Sequence, residues 1–188
     1  MMFVTREITS AKYTKDNSIF LSYLVPIKDF DGYLCELREK HKKATHFVRA
    51  TRILNEYAQI IEYCSDDGEP KGSSGASVLN VLRGKNIINS GIIVVRYFGG
   101  RLLGVGGLFR AYSSASLEVI NSANLIAFEV LQKTTLRCPL GKIDLAKYLA
   151  RKLEVDSLKF DFMQNFAIIH LEANSDKTRD FIHHFKEK

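Results

Sequence analysis

The 188-residue chain carries 27 Lys and Arg against 21 Asp and Glu, a formal net charge of +6, and 46% of its residues are hydrophobic. This is ordinary globular composition, long enough for one large or two small domains, and its mild basicity is compatible with an anionic partner without making the chain a polycation. Cys35, Cys64 and Cys138 have no zinc or disulfide spacing, and the apolar run Ile19 to Ile27 is too short to span a membrane; the expectation is a cytoplasmic protein with reduced thiols and no membrane segment.

Phe3 to Ile8 alternates weakly and reads as an edge strand. A turn signal at Lys15-Asp16-Asn17 leads into SIFLSYLVP, Ser18 to Pro26, which is rich in β-formers and expected to pair back on that first strand. Asp29 or Asp31 is placed to cap a helix running to about Lys43, with Tyr33, Leu34 and Leu37 inward. Its basic end, Arg38 to Lys43, reads as a solvated last turn favoured by the helix dipole, with a nucleic-acid patch as the alternative. THFVRATRI (Thr45 to Ile53) and AQIIEYC (Ala58 to Cys64) read as two strands joined by a turn at Asn55-Glu56. The loop SDDGEPKGSSG, Ser65 to Gly75, precedes a short helix, Ala76 to Leu82.

The strand Ile92 to Val95 then runs through Arg96, Tyr97 and Phe98 into a loop with Gly99, Gly100, Gly104, Gly106 and Gly107. A helix follows from about Leu108 to Asn121, with Leu108, Tyr112, Ala115 and Val119 as its buried stripe. Composition turns polar at Asn121 to Asn124, which sets an expected boundary between domains at 1–124 and 125–188. In the second, strand (Phe128 to Cys138), helix (Gly141 to Leu153), strand (Leu158 to Phe162), strand (Phe166 to Ala173) and helix (from Ser175 or Asp176) spell β-α-β-β-α, most of a ferredoxin-like unit. The final strand of such a unit is not reached before Lys188, so a sheet edge is expected to be open to a partner or a second copy.

Strand, glycine loop and helix together place bare amides and a helix N-terminus at one point. The standard nucleotide patterns nevertheless fail. Val105 and Gly106 stand where a phosphate-binding loop needs Lys and Ser or Thr, and Phe109 stands at the third glycine of a dinucleotide fingerprint. No cofactor is expected. Arg96, Arg101 and Arg110 surround the loop and need a negative neighbour. Two are available: a bound phosphate or carboxylate, or the internal acids Asp66, Asp67 and Glu69. Spacing leaves both open. The acids lack the EF-hand pattern, and three acids in one turn more often form turns and caps than a metal site. Ser73 or Ser74 with His46 and Asp66 supplies the residue types of a nucleophilic triad, but no G-x-S-x-G elbow is present.

The two blocks SDDGEPKGSSG and VVRYFGGRLLGVGGLFRAY together resemble the IMPACT/YigZ family, in which D-G-E-P-x-G-[ST]-[AS]-G is followed by R-Y-[FY]-G-G-x-x-L-G-x-G-G-L-x-[RK]-A-Y. Ala44, His46 and Ala50 match its A-x-H-x-x-x-A signature. Ser73-Ser74 in place of the commoner Thr-Ala, and Ala76-Ser77 where a Pro often lies, are minor departures. The resemblance covers about residues 5–125 and implies an α+β protein of two domains. The first is similar to domain 2 of ribosomal protein S5, a mostly antiparallel sheet with helices on one side. The second is ferredoxin-like and similar to the last domain of elongation factor G. Eukaryotic members look like regulators of translation acting by protein binding, so the expected partners are RNA, the ribosome or a ribosome-associated protein, with a small anion possible at the glycine loop. The expectation is a non-enzymatic protein; an enzyme acting on a small phosphorylated or peptide substrate is the alternative. The residues expected at the binding site are His46, Asp66, Asp67, Gly68, Glu69, Gly72, Ser73, Arg96, Tyr97, Gly99, Gly100, Arg101, Gly104, Gly106, Gly107 and Arg110. No catalytic or metal-ligating residue is expected.

Overall fold

The computed structural model describes residues 1–187. The chain divides into two compact α+β units, one from Met1 to Phe128 and one from Glu129 onward.

The first unit is built on β6 (Ser90–Tyr97), the middle strand of a five-stranded antiparallel sheet. Its neighbours are β3 (Ser18–Pro26) and β4 (His46–Leu54). The outer strands are β2 (Thr9–Lys15) beside β3 and β5 (Ile60–Ser65) beside β4. Residues Ser90 to Arg96 of β6 are all buried, because both faces of the sheet are covered at this strand. Ile92 and Val94 pack under α2 (Gly75–Gly84) and α3 (Gly104–Ser122), in a core with Val78, Leu82, Tyr112, Ala115 and Val119. Ile93 and Val95 pack under α1 (Phe30–Lys40) through Phe30 and Leu37.

This corrects the expectation of helices on one side only. An unbroken run of β-branched residues, rather than an apolar–polar alternation, is what a strand covered on both faces requires. The small residues of α3 serve close packing: Ala111, Ala115 and Ser116 are buried.

Three boundaries differ from expectation. The partner of β3 is β2, not a strand over residues 3–8, and the Asp16-Asn17 turn between them has both residues at positive φ. The true first strand, β1 (Met2–Thr5), pairs instead with β7 (Leu125–Phe128), from Met2↔Phe128 to Thr5↔Leu125. That pairing carries residues 125–128 into the first unit and moves the boundary from 124 to 128. Finally, α3 begins at Gly104 rather than Leu108, so Gly106 and Gly107 are helical while Gly104, at φ +67°, opens the helix.

The second unit runs β8 (Gln132–Pro139), α4 (Ile143–Lys152), β9 (Ser157–Phe162), β10 (Phe166–Ala173) and α5 (Ser175–Glu187). Its sheet has the order β8-β10-β9, all antiparallel, the arrangement of a split βαβ unit. Alternate residues of β10 (Ala167, Ile169 and Leu171) meet Leu149, Phe181 and Phe185 from the two helices. Among the described residues no helix is long and apolar enough to cross a membrane.

Candidate functional site: a cleft between the acidic and glycine loops

The three acids of the loop between β5 and α2 point in different directions, and each has its own partners. Asp66 turns onto the start of α2. Its carboxylate accepts hydrogen bonds from the N–H groups of Gly72 (2.8 Å), Ser74 (3.1 Å) and Gly75 (2.8 Å) and from the Ser74 hydroxyl (2.7 Å). Burial works against its ionisation, but these four donors outweigh burial and hold the carboxyl below the usual range. A side chain from outside the helix thus satisfies donors that an N-cap residue would normally satisfy. Gly75 is required there because a Cβ would lie 2.8 Å from the Ser65 backbone.

Asp67 turns the other way. It accepts from Arg38 (2.9 Å), Arg49 (3.2 Å) and the Phe47 N–H (2.8 Å), pinning the loop to β4 and to the end of α1. Its backbone carbonyl lies 2.8 Å from His46 Nδ1. A carbonyl can only accept, so Nδ1 carries the proton and Nε2 is the acceptor nitrogen of the neutral ring.

Glu69 is buried, its side chain 4% exposed. Its Oε1 accepts from Arg96 Nη1 and from the Tyr112 hydroxyl at 2.8 Å. Burial, then the charge of Glu69, pushes the Tyr112 pKa up, so this hydroxyl stays a donor. Oε2 faces His46 Nε2 across 3.9 Å. Arg96 itself is 4% exposed, with its guanidinium over the rings of Phe20 (5.5 Å) and Phe98 (5.6 Å). Its Nη2 reaches Ser18 Oγ at 3.4 Å, while its Nε has no hydrogen-bond partner among the described residues.

The glycine loop closes over this group. Gly99 sits against the β2–β3 turn, where a Cβ would lie 2.1 Å from the Asn17 carbonyl carbon, and its N–H donates to Ser18 Oγ (3.2 Å). Gly100 and Gly104 have φ of +82° and +67°, which side chains strain to adopt. Gly106 is different: a Cβ there would meet only the Arg110 guanidinium, at an ordinary 3.6 Å. The residue before α3 is Leu103, which cannot cap, and among the described residues no side chain accepts from the first N–H groups of the helix.

Between the two loops lies a cleft of about 400 Å³. Thr45, His46, Glu69 and Arg96 line its polar part, and Pro70, Phe98, Leu102, Leu103, Val105 and Leu108 its apolar part, with Gly68 and Gly104 among the walls. Phe98 is 47%, Leu102 87% and Val105 59% exposed, so the rim is an apolar lip on a charged but internally paired floor.

Of the residues expected at a site, the structure gathers His46, Gly68, Glu69, Arg96 and Gly104 around this cleft. Asp66, Gly72 and the buried Ser73 belong to the α2 cap, where the Ser73 hydroxyl has no partner among the described residues. Asp66 takes Ser74 while His46 takes Asp67 and faces Glu69, so the Ser–His–Asp set is not assembled. Tyr97 points to the opposite face of the sheet, where its hydroxyl meets His41 Nδ1 at 2.8 Å. Arg101 and Arg110 are exposed and have no carboxylate partner among the described residues. Arg38, Arg49 and Tyr112 were not expected as site residues. Tyr112 is hidden in sequence inside the apolar stripe of α3, and no local pattern distinguishes it from core.

Residues 16–120 match the Impact N-terminal domain. The chain belongs to the IMPACT family. An IMPACT family member from Haemophilus influenzae is 31% identical over 153 residues, covering 80% of this chain and 73% of the relative. The human Protein IMPACT is 35% identical over 97 residues, 48% of this chain and 30% of its own length. A crystal structure of a hypothetical protein superposes with a TM-score of 0.67 at 23% identity, over 96% of this chain and 88% of that one, and so shares the two-unit fold. In IMPACT family terms, the matched region contains both loops and every residue of the cleft.

Proposed function

We propose that this IMPACT family protein is a translation-associated regulator that acts by binding, with the two-loop cleft as its docking point and RNA, the ribosome or a ribosome-associated protein as its partner. The observation that carries the reading is the pairing of the floor beneath an unpaired rim. Asp66, Asp67 and Glu69 are each committed to donors within the chain. The exposed Phe98, Leu102 and Val105 at the mouth, with Arg101 and Arg110 beside them in sequence, are not. Apolar anchors ringed by arginine are the usual chemistry of a recognition surface. The link to translation is supported by family membership and by what the sequence resemblance implies for eukaryotic members.

The enzymatic alternative has one observation in its favour, the His46 Nε2 that opens toward Glu69 and the cleft. Sedimentation of the protein with ribosomes and with RNA across a salt series tests the binding reading. Salt-sensitive association that is lost in Arg101→Ala/Arg110→Ala is expected for an RNA contact. Absence of any association at low ionic strength overturns the reading.

A further inference from the structure

One strand of the second unit has a free side. In a complete ferredoxin-like unit a last strand pairs antiparallel with the first. Here the order β8-β10-β9 puts β8 at an edge, and among the described residues no strand lies on its outer side. The register fixes which groups that edge presents. The Met163 N–H donates to the Phe166 carbonyl at the β9–β10 turn, so Phe166, Ile168, His170 and Glu172 bond toward β9. Ala167, Ile169, Leu171 and Ala173 then bond toward β8, where they face Cys138, Leu136, Thr134 and Gln132. The N–H and C=O groups of Lys133, Thr135 and Arg137 therefore point outward, and all three residues are exposed.

Beside this edge, between β8 and α5, lies a groove of about 600 Å³ with Gln132, Thr134, Thr178, Ile182 and Lys186 among its walls. The ion pairs of this unit join Asp144 to Lys147, Asp161 to His170, and Asp176 and Asp180 to Arg179. Among the described residues Lys133, Arg137 and Lys186 have no ion-pair partner, although Glu172 stands opposite Lys133 in the ladder. The Arg137 guanidinium lies over the Phe166 ring at 4.1 Å.

Chemistry narrows the occupant. A row of alternating N–H and C=O groups at strand spacing is complemented by a peptide backbone, whereas a phosphate backbone only accepts. A second copy is opposed by charge, because two β8 strands paired antiparallel about Thr135 set Lys133 against Arg137 twice. A partner strand would turn alternate side chains into the groove, where Ile182 favours apolar ones. The others would lie on the opposite face beside Lys133 and Arg137, which favour carboxylates.

We propose that the β8 edge takes up an extended segment of a protein partner, with apolar and acidic side chains alternating, as the fourth strand of this sheet.

The test adds a capped heptapeptide alternating Glu and Val to the ¹⁵N-labelled full chain and follows amide hydrogen exchange. Without peptide, Lys133, Thr135 and Arg137 should exchange freely while Thr134 and Leu136 are protected by β10; the peptide should slow the first three about tenfold or more. A peptide alternating Lys and Val should bind at least about tenfold more weakly. N-methylation at the Glu residues, whose amides face β8, should cost as much while keeping the charge, and N-methylation at Val should cost little. Arg137→Glu should reverse the preference between the Glu and Lys peptides. Thr135→Pro removes an outward N–H but no bond to β10, and should weaken both. Retained protection of Leu136 shows that a variant is folded, and Arg137→Glu, at an exposed position, carries the test if the proline variant loses it. Equal binding of the Lys peptide or of the Glu-methylated peptide overturns the proposal. So does tighter binding of an oligouridine at these amides, their protection by raised protein concentration alone, or no protection at all.

Discussion

Asp66→Ala removes the carboxylate that holds the start of α2, and its cost can be worked out bond by bond. Four donors lose their acceptor: the N–H groups of Gly72, Ser74 and Gly75 and the Ser74 hydroxyl. Gly72 is exposed and regains water. Ser74 and Gly75 are buried and do not. Leaving a buried donor unsatisfied costs about 1–3 kcal/mol, and these groups share one site, so the sum stays near 3–4 kcal/mol rather than the full total. With a urea m-value of about 2 kcal/mol per molar, the midpoint of the first unit falls by about 1.5–2 M. Urea titration followed by circular dichroism reads this directly.

The pH dependence has a fixed sign. Because the folded pKa of Asp66 is depressed, its contribution is complete above the unfolded value of about 3.9 and is lost as pH falls through the lower folded value. The gap between wild type and Asp66→Ala should therefore hold constant from pH 7 to 5 and close only below about pH 4. A loss under about 0.5 kcal/mol at pH 7, or a gap that closes above pH 5, would refute the capping role.

Other outcomes are as specific. Gly99→Ala drives a Cβ into the Asn17–Ser18 backbone and should cost about 3 kcal/mol or more, whereas Gly106→Ala, helical and unobstructed, should stabilise the chain by about 0.5–1 kcal/mol in the same titration. If Gly106→Ala also weakens ribosome association, the bare turn is there for the partner. Glu69→Ala leaves the buried Arg96 without its acid and Tyr112 without its acceptor, and about 3–5 kcal/mol should be lost; under 1 kcal/mol would mean the pair is not closed in solution. Burial, then Lys40, lowers the His41 pKa, so wild type should lose stability relative to His41→Gln as pH falls from about 6.5 toward that lower value. A His41 imidazole titrating above 6.5 by NMR overturns that.

The elements easiest to read in sequence were those whose pattern and packing agree. The apolar run of β6 and the β-α-β-β-α succession of the second unit are of this kind. β2 is not legible in sequence because TSAKYTK is polar and half solvated, with nothing local to separate it from loop. β7 is only four residues long and owes its existence to β1, more than a hundred residues away. The first turn of α3 looks like loop in sequence because Gly106 and Gly107 disfavour helix, a preference that tertiary context overrides. At the site, proximity of the two loops was legible from their linked motifs. The division of labour among the acids was not, since Asp66, Asp67 and Glu69 differ in partner rather than in type. The partners Ser74, Arg38, Arg49, Arg96 and Tyr112 are scattered along the chain, and only the folded sheet brings them in.

The central position of β6 bears on when the cleft can come into being. Both strands that flank it, β3 and β4, leave the ribosome first and wait with an unpaired edge apiece until residues 90–97 arrive between them. Long-range insertion of this kind is slow and leaves hydrophobic edges open during synthesis. Arg96, the latch for Glu69, is near the end of that strand, and Tyr112 comes later still in α3. A nascent chain truncated before residue 90 should therefore display the acidic loop with neither of its inner partners, and be more prone to capture by chaperones than one released after residue 122.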